Sequence, residues 1–186
     1  MCEPICNLVS ELFYDSQVKS IKKGCGDNII CNDPLYSYTH PIILSHISDT
    51  SSITSDKEAD FIAKTIEHYL QLGLPASKIA VLTPFRAQAA NIRRYLRASA
   101  SIDEVERKKI AVDTVDKMQG QERDVIIFSL PAGDLAYMTE MADFLYNPNK
   151  LNVAFSRAIY KLIIVGIVVF FAVRGCAGQQ EARSGE

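Results

Sequence analysis

The 186-residue chain lacks an excess of charge of either sign, with 20 Lys and Arg against 22 Asp and Glu. That balance excludes a histone-like or polybasic binder. It leaves room for a nucleic-acid site built from a few local cations and backbone amides. The chain also lacks a long apolar run. Its most apolar stretch, Leu162 to Val173, is closed by Lys161 and Arg174, short of the ~20 residues a membrane span needs. It reads as a buried strand that continues into something apolar. No basic-then-apolar leader follows Met1, whose neighbours are Cys2, Glu3 and Pro4. The five cysteines are odd in number, and Cys2-x3-Cys6 with Cys25-x5-Cys31 fits no common zinc spacing. Free thiols in a reducing, intracellular compartment and no metal are expected. A Gly-x4-Gly-Lys-Ser/Thr loop is missing, as is an Asp-Glu pair after an apolar strand. The chain therefore brings no phosphate cradle or magnesium ligand of its own.

What is present is an ordinary globular composition, 48% hydrophobic and 23% charged, which excludes a disordered chain, a collagen-like repeat and a coiled coil. The length suits one domain with a core. Glu3 to Tyr14 has apolar residues at helical spacing, and Asp15 to His40 reads as a long irregular connection. Pro41 to Ile47 reads as a strand. Ser55 with Glu58 has the capping-box form and opens a helix from about Lys57 to Leu72, which Gly73 and Pro75 end. A strand over Lys78 to Leu82 leads to Pro84, placed in the first turn of a second helix whose apolar face is Phe85, Ala89, Ile92 and Leu96. Strands over Ile110 to Val112 and Asp124 to Leu130, a weak helix over Met138 to Leu145, a helix over Asn149 to Ala158 and a strand over Lys161 to Val165 complete the pass. Two-sided apolar strands alternating with amphipathic helices predict an α/β fold, a mainly parallel sheet with helices on both faces. In such sheets the working loops are expected beyond the carboxyl ends of the strands.

Three segments are more polar than a plain core requires. Thr83-Pro84-Phe85-Arg86-Ala87-Gln88 follows a strand directly. Its hydroxyl and free helix-start N–H groups suit a phosphate, although a simple cap by Thr83 explains them equally well. Val112 to Asp124 packs four acids, two bases and two glutamines between two buried strands, with Gly120 permitting close backbone approach. Asn149 to Ala158 turns Leu151, Ala154, Phe155 and Ala158 inward and places Arg157 near the helix end. There it either neutralises the helix terminus or meets an anion held against another domain.

In this order the three segments resemble motifs IV, V and VI of the second, RecA-like motor domain of superfamily 1 helicases. The 1B branch, which contains RNA-decay and DNA-repair helicases, is the nearest in pattern. Gln119-Gly120-Gln121-Glu122 is similar to the motif V core, and Leu151-Asn152-Val153-Ala154-Phe155-Ser156-Arg157-Ala158 to that of motif VI. Met1 to Tyr14 resembles the segment after the family's Gln-Tyr-Arg-Met motif, with Cys2 and Glu3 in place of His and Pro. The chain is thus expected to begin inside that motif. The resemblance covers roughly Met1 to Gly166. It implies an N-terminal helix and connection over 1–40, the motor domain over 41–166, and an unassigned apolar segment and tail over 167–186.

The resemblance further implies that ATP and Mg2+ sit in a cleft against a first RecA-like domain of the same protein, with the magnesium held there. Arg157 is then the arginine finger, Glu122 binds the ribose, and Gln119 and Gly120 line the cleft. Thr83, Pro84, Thr114 and, more weakly, Arg86 touch single-stranded DNA or RNA. The chain alone is not expected to hydrolyse ATP. The competing expectation is a non-enzymatic α/β interaction domain derived from a helicase half. A doubly wound nucleotide-binding enzyme is disfavoured, because Pro41 to Ile47 leads into Ser48-Asp49-Thr50 and not into a glycine fingerprint.

Overall fold

The computed structural model describes residues 1–21, 31–47, 53–118, 120–131 and 140–166. Helix α1 (Glu3–Phe13) precedes strand β1 (Ile42–His46), helix α2 (Asp56–Gln71), strand β2 (Ile79–Thr83) and helix α3 (Arg86–Ala98). A short helix α4 (Glu104–Lys109), β3 (Ala111–Thr114), a 3-10 turn (Val115–Met118) and β4 (Arg123–Leu130) follow. Helices α5 (Ala142–Leu145) and α6 (Pro148–Phe155) lead into β5 (Ala158–Gly166). The strands form one sheet in the order β1-β5-β4-β2-β3, and every pairing is parallel. The expected parallel α/β architecture is therefore found.

Alternation along each strand divides the core in two. Ala80, Leu82, Ile126, Phe128, Leu162 and Ile164 face α1 and α6, whereas Ile79, Val81, Val125, Ile127, Ile163 and Val165 face α2 and α3. Each such Val, Leu, Ile or Phe side chain contributes roughly 1.5–3 kcal/mol on full burial, so a strand apolar on both faces is stable only between two helical layers. Helix α1 shares the first core through Ile5 and Val9. Among the described residues no helix is long and apolar enough to cross a membrane.

Local chemistry explains the element ends. The Ser55 hydroxyl accepts from Glu58 N at 3.1 Å, as the capping box requires. The Glu58 carboxylate also accepts from Ser129 Oγ at 2.7 Å, which ties α2 to the end of β4. Gly73, at φ +87°, closes α2. Pro84 lies outside α3, which starts at Arg86 with Phe85 as its N-cap, two residues later than the sequence suggested. Helix α4 was not anticipated. Its Asp103 cap accepts from Glu106 N at 2.8 Å, and none of its own residues is buried, so it leaves little hydrophobic periodicity to read. Cys6 and Cys31 are free thiols.

The long connection is held from an unexpected place. Lys161 reads as the polar boundary of an apolar strand, yet it lies within β5 and is 0% exposed. Its ammonium donates to the carbonyls of Pro34 at 2.6 Å, Ser37 at 3.0 Å and His40 at 2.5 Å. An irregular segment leaves backbone carbonyls without ladder partners, and one buried cation gathers three of them. Burial pulls the Lys161 pKa down to about 8.

Candidate nucleotide and strand faces

Since all strands run the same way, the sheet has one amino edge and one carboxyl edge. The sequence-predicted residues divide between them. Arg157 immediately precedes β5, and Gly120, Gln121 and Glu122 immediately precede β4, so both groups lie at the amino edge. This corrects the expectation that all working loops sit beyond the carboxyl ends. The segment from Val115 to Glu122 leaves β3 at the carboxyl edge and crosses the α6 face, where Val115 and Met118 are buried, before β4 begins.

At the amino edge the two motifs touch through their backbones. Arg123 N donates to Arg157 O at 3.0 Å. The Arg123 guanidinium folds back onto Glu122 O at 2.8 Å and Gln121 Oε1 at 3.0 Å, fixing the turn from which Glu122 projects. Gly120 adopts φ +81°, and Gln121 N donates to Met118 O at 3.2 Å across the same turn. A Cβ at Gly120 would meet nothing within 4 Å, so the glycine answers to backbone conformation and not to crowding. Glu122 is exposed. Gln119 lies outside the described residues.

Arg157 is half-buried. Its Nε donates to Val153 O at 3.1 Å and one terminal nitrogen to Ser156 Oγ at 3.1 Å. These contacts hold the guanidinium against the end of α6. Among the described residues no carboxylate pairs with it, whereas eight other ion pairs are formed. A guanidinium has five N–H donors, so an anchored group with donors to spare suits an anion supplied from outside. Among the described residues no three His, Cys, Asp or Glu side chains converge as a metal site.

The carboxyl edge carries the other set. Thr83 is 0% exposed and its hydroxyl accepts from Phe85 N at 3.4 Å, a local turn ahead of α3, whose N-cap Phe85 has no side-chain cap bond. Thr114 is 8% exposed, with its N–H donating to Asp113 Oδ1 at 2.8 Å. Pro84 is partly covered, and Arg86 is exposed at the start of α3. Beneath this loop lies a polar network that sequence reasoning missed. Gln88, fully buried, accepts from Ser55 N at 2.9 Å and donates to Ser129 Oγ at 3.0 Å, and Ser129 in turn reaches Glu58. The visible signal was a glutamine at a core position of an amphipathic helix. In motif VI, Asn152 is spent on packing: its Nδ2 donates to Tyr14 OH at 2.7 Å and joins α6 to the end of α1.

Residues 1–168 match the AAA domain family. The chain is 32% identical over 135 residues to the Arabidopsis thaliana protein Regulator of nonsense transcripts 1 homolog, covering 73% of this chain and 10% of that protein. It is 30% identical over 186 residues to DNA polymerase alpha-associated DNA helicase A of Schizosaccharomyces pombe, covering 89% and 26%. It is 31% identical over 188 residues to the Putative helicase MOV-10 of Gallus gallus, covering 87% and 19%. The chain thus spans about a quarter or less of these relatives. With the parallel RecA-like sheet and the two motifs that meet at its amino edge, the chain belongs to the AAA domain family as a superfamily 1 helicase-type motor domain.

Proposed function

We propose that this domain works as the second half of an ATP-driven motor on single-stranded DNA or RNA, closing on a first RecA-like domain of the same protein. The observation that carries the reading is the amino-edge junction, where Arg157 and the Gly120–Glu122 turn are joined by the Arg123 N to Arg157 O bond of 3.0 Å. In this reading Arg157 reaches the γ-phosphate and neutralises charge that develops during transfer, an effect worth ~10³–10⁵ in rate. Glu122 accepts from the ribose hydroxyls, with Gln119 and Gly120 alongside. Mg2+ is held by the first domain, since phosphoryl transfer needs a P-loop lysine and metal ligands that this chain does not bring. The chain alone is therefore inert toward ATP. The carboxyl edge, with Thr83, Pro84, Arg86 and Thr114, faces the strand, and the Val115–Glu122 segment links the two edges mechanically.

The test is Arg157→Ala in the full-length protein. Nucleic-acid-stimulated phosphate release is expected to fall by at least ~10³, with binding of a fluorescent ATP analogue largely kept. Near-unaltered turnover would reduce Arg157 to a helix-end charge.

A further inference from the structure

The strand-face reading leaves a gap at the carboxyl edge. Thr83 is fully buried and Thr114 nearly so, so neither hydroxyl presents much surface to a ligand. The exposed groups beside them are of another kind. Phe144, on α5, is 38% exposed. Its ring lies 5.6 Å from that of Phe85, two residues beyond Thr83, at a tilt of 36°. Lys150, in the first turn of α6, holds its Nζ 4.5 Å from the centroid of the Phe144 ring. The same ammonium is 3.9 Å from Asp116 Oδ2, two residues beyond Thr114. A cavity of about 200 Å3 opens next to it, lined by Val115, Asp116, Asn149, Lys150 and Val153.

An exposed phenyl ring has no structural need for solvent contact, and Lys150 has only weak tethers. A cation over a phenyl ring near the surface and a 3.9 Å pair with a carboxylate that is 71% exposed are each worth little in water. Both groups are therefore available for exchange with a ligand that has an aromatic face and an anion next to it. A nucleotide in a single strand has both. Aromatic platforms beside cations bind single strands with little sequence preference, because every base has a π-face.

Resting on the strand-face reading above, we propose that Phe144 is a stacking platform for one base of the bound strand and that Lys150 moves from the ring to the adjoining phosphate. Phe85 supports the platform from below. The step is a shift of partners with no covalent change.

The test uses the full-length protein and labelled oligo(dT) and oligo(U), titrated over a range of salt. Phe144→Leu keeps the apolar packing on Phe85 and removes the π-face. It is expected to weaken binding about tenfold, given the usual contribution of base stacking, with the salt dependence unchanged. Phe144→Tyr should restore affinity. Lys150→Met should flatten the plot of log K against log salt by about 0.7, the loss of one phosphate contact on a single strand. A fold defect would reproduce neither the separation of the two variants nor the rescue. If the unaltered protein binds and both variants bind like it, the platform is overturned while the strand-face reading stands. If the unaltered protein binds neither oligonucleotide, the strand-face reading falls and the platform with it.

Discussion

Replacing Lys161 by methionine isolates the cost of leaving the connection before β1 without its anchor. The side chain keeps its length and apolar stem and loses only the ammonium. Three carbonyls then lose a charged donor, those of Pro34, Ser37 and His40. Each abandoned buried carbonyl costs ~1–3 kcal/mol, which puts the upper bound at roughly 9 kcal/mol. Two effects reduce it. The bonds to Pro34 and His40 lie at partly buried positions, where water can replace the donor. The desolvation that lowers the Lys161 pKa to about 8 is also relieved when the charge goes. A net loss of about 2–4 kcal/mol remains, and in a domain of this size that lowers Tm by roughly 5–15 °C. Urea and thermal melts followed by circular dichroism measure the loss, and amide exchange over residues 33–41 should show local opening before the sheet unfolds. A loss below about 0.5 kcal/mol, the range of an ordinary surface substitution, would refute the idea that this cation organises the connection.

Two further outcomes follow from the same core. Stability should rise as pH increases from about 8 to about 10: Lys161 gives up its proton near 8 in the fold against an ordinary 10.5, so the unfolded chain binds more protons in that window. Above about 10 the trend should reverse, because burial raises Tyr38, Tyr69 and Tyr146, the last to about 12, and these stay neutral in the fold while the unfolded chain ionises. Urea midpoints against pH test both limbs, and Lys161→Met should abolish only the rising one. Separately, Gly166→Ala should cost about 3 kcal/mol or more through overpacking and backbone strain, since φ is +132° and its Cβ would fall 2.4 Å from Leu130 O. Gly73→Ala, at φ +87° with nothing within 4 Å, should cost only the ~1 kcal/mol of a left-handed residue. Equal losses in urea would contradict this account of Gly166.

The division between what the sequence revealed and what it concealed follows the range of each interaction. The strands and the two large helices were legible because their signals are local: Val125 to Phe128 is apolar on both faces, and Ser55 with Glu58 marks a helix start. The residue patterns that resemble motifs V and VI were legible, but not their position, because the rule that places loops at carboxyl ends takes no account of a segment that crosses the sheet before its glycine turn. Side-chain roles set by distant partners were hidden. Lys161 looks like a strand boundary until the carbonyls of residues more than a hundred positions away surround it. Gln88 and Ser129 are unremarkable polar residues until they share a hydrogen bond across 41 positions. Thr83 is the instructive case, because one short motif supported two roles. Its hydroxyl is taken by Phe85 N and its side chain is fully covered, so any grip on a strand at this edge must come from the backbone of the loop it shapes or from exposed neighbours. That transfers the chemistry of the strand face from the motif's own hydroxyl to residues recruited from α5 and α6. Spacing along the chain could not reveal this, since Phe85 and Phe144 meet only once the sheet has formed.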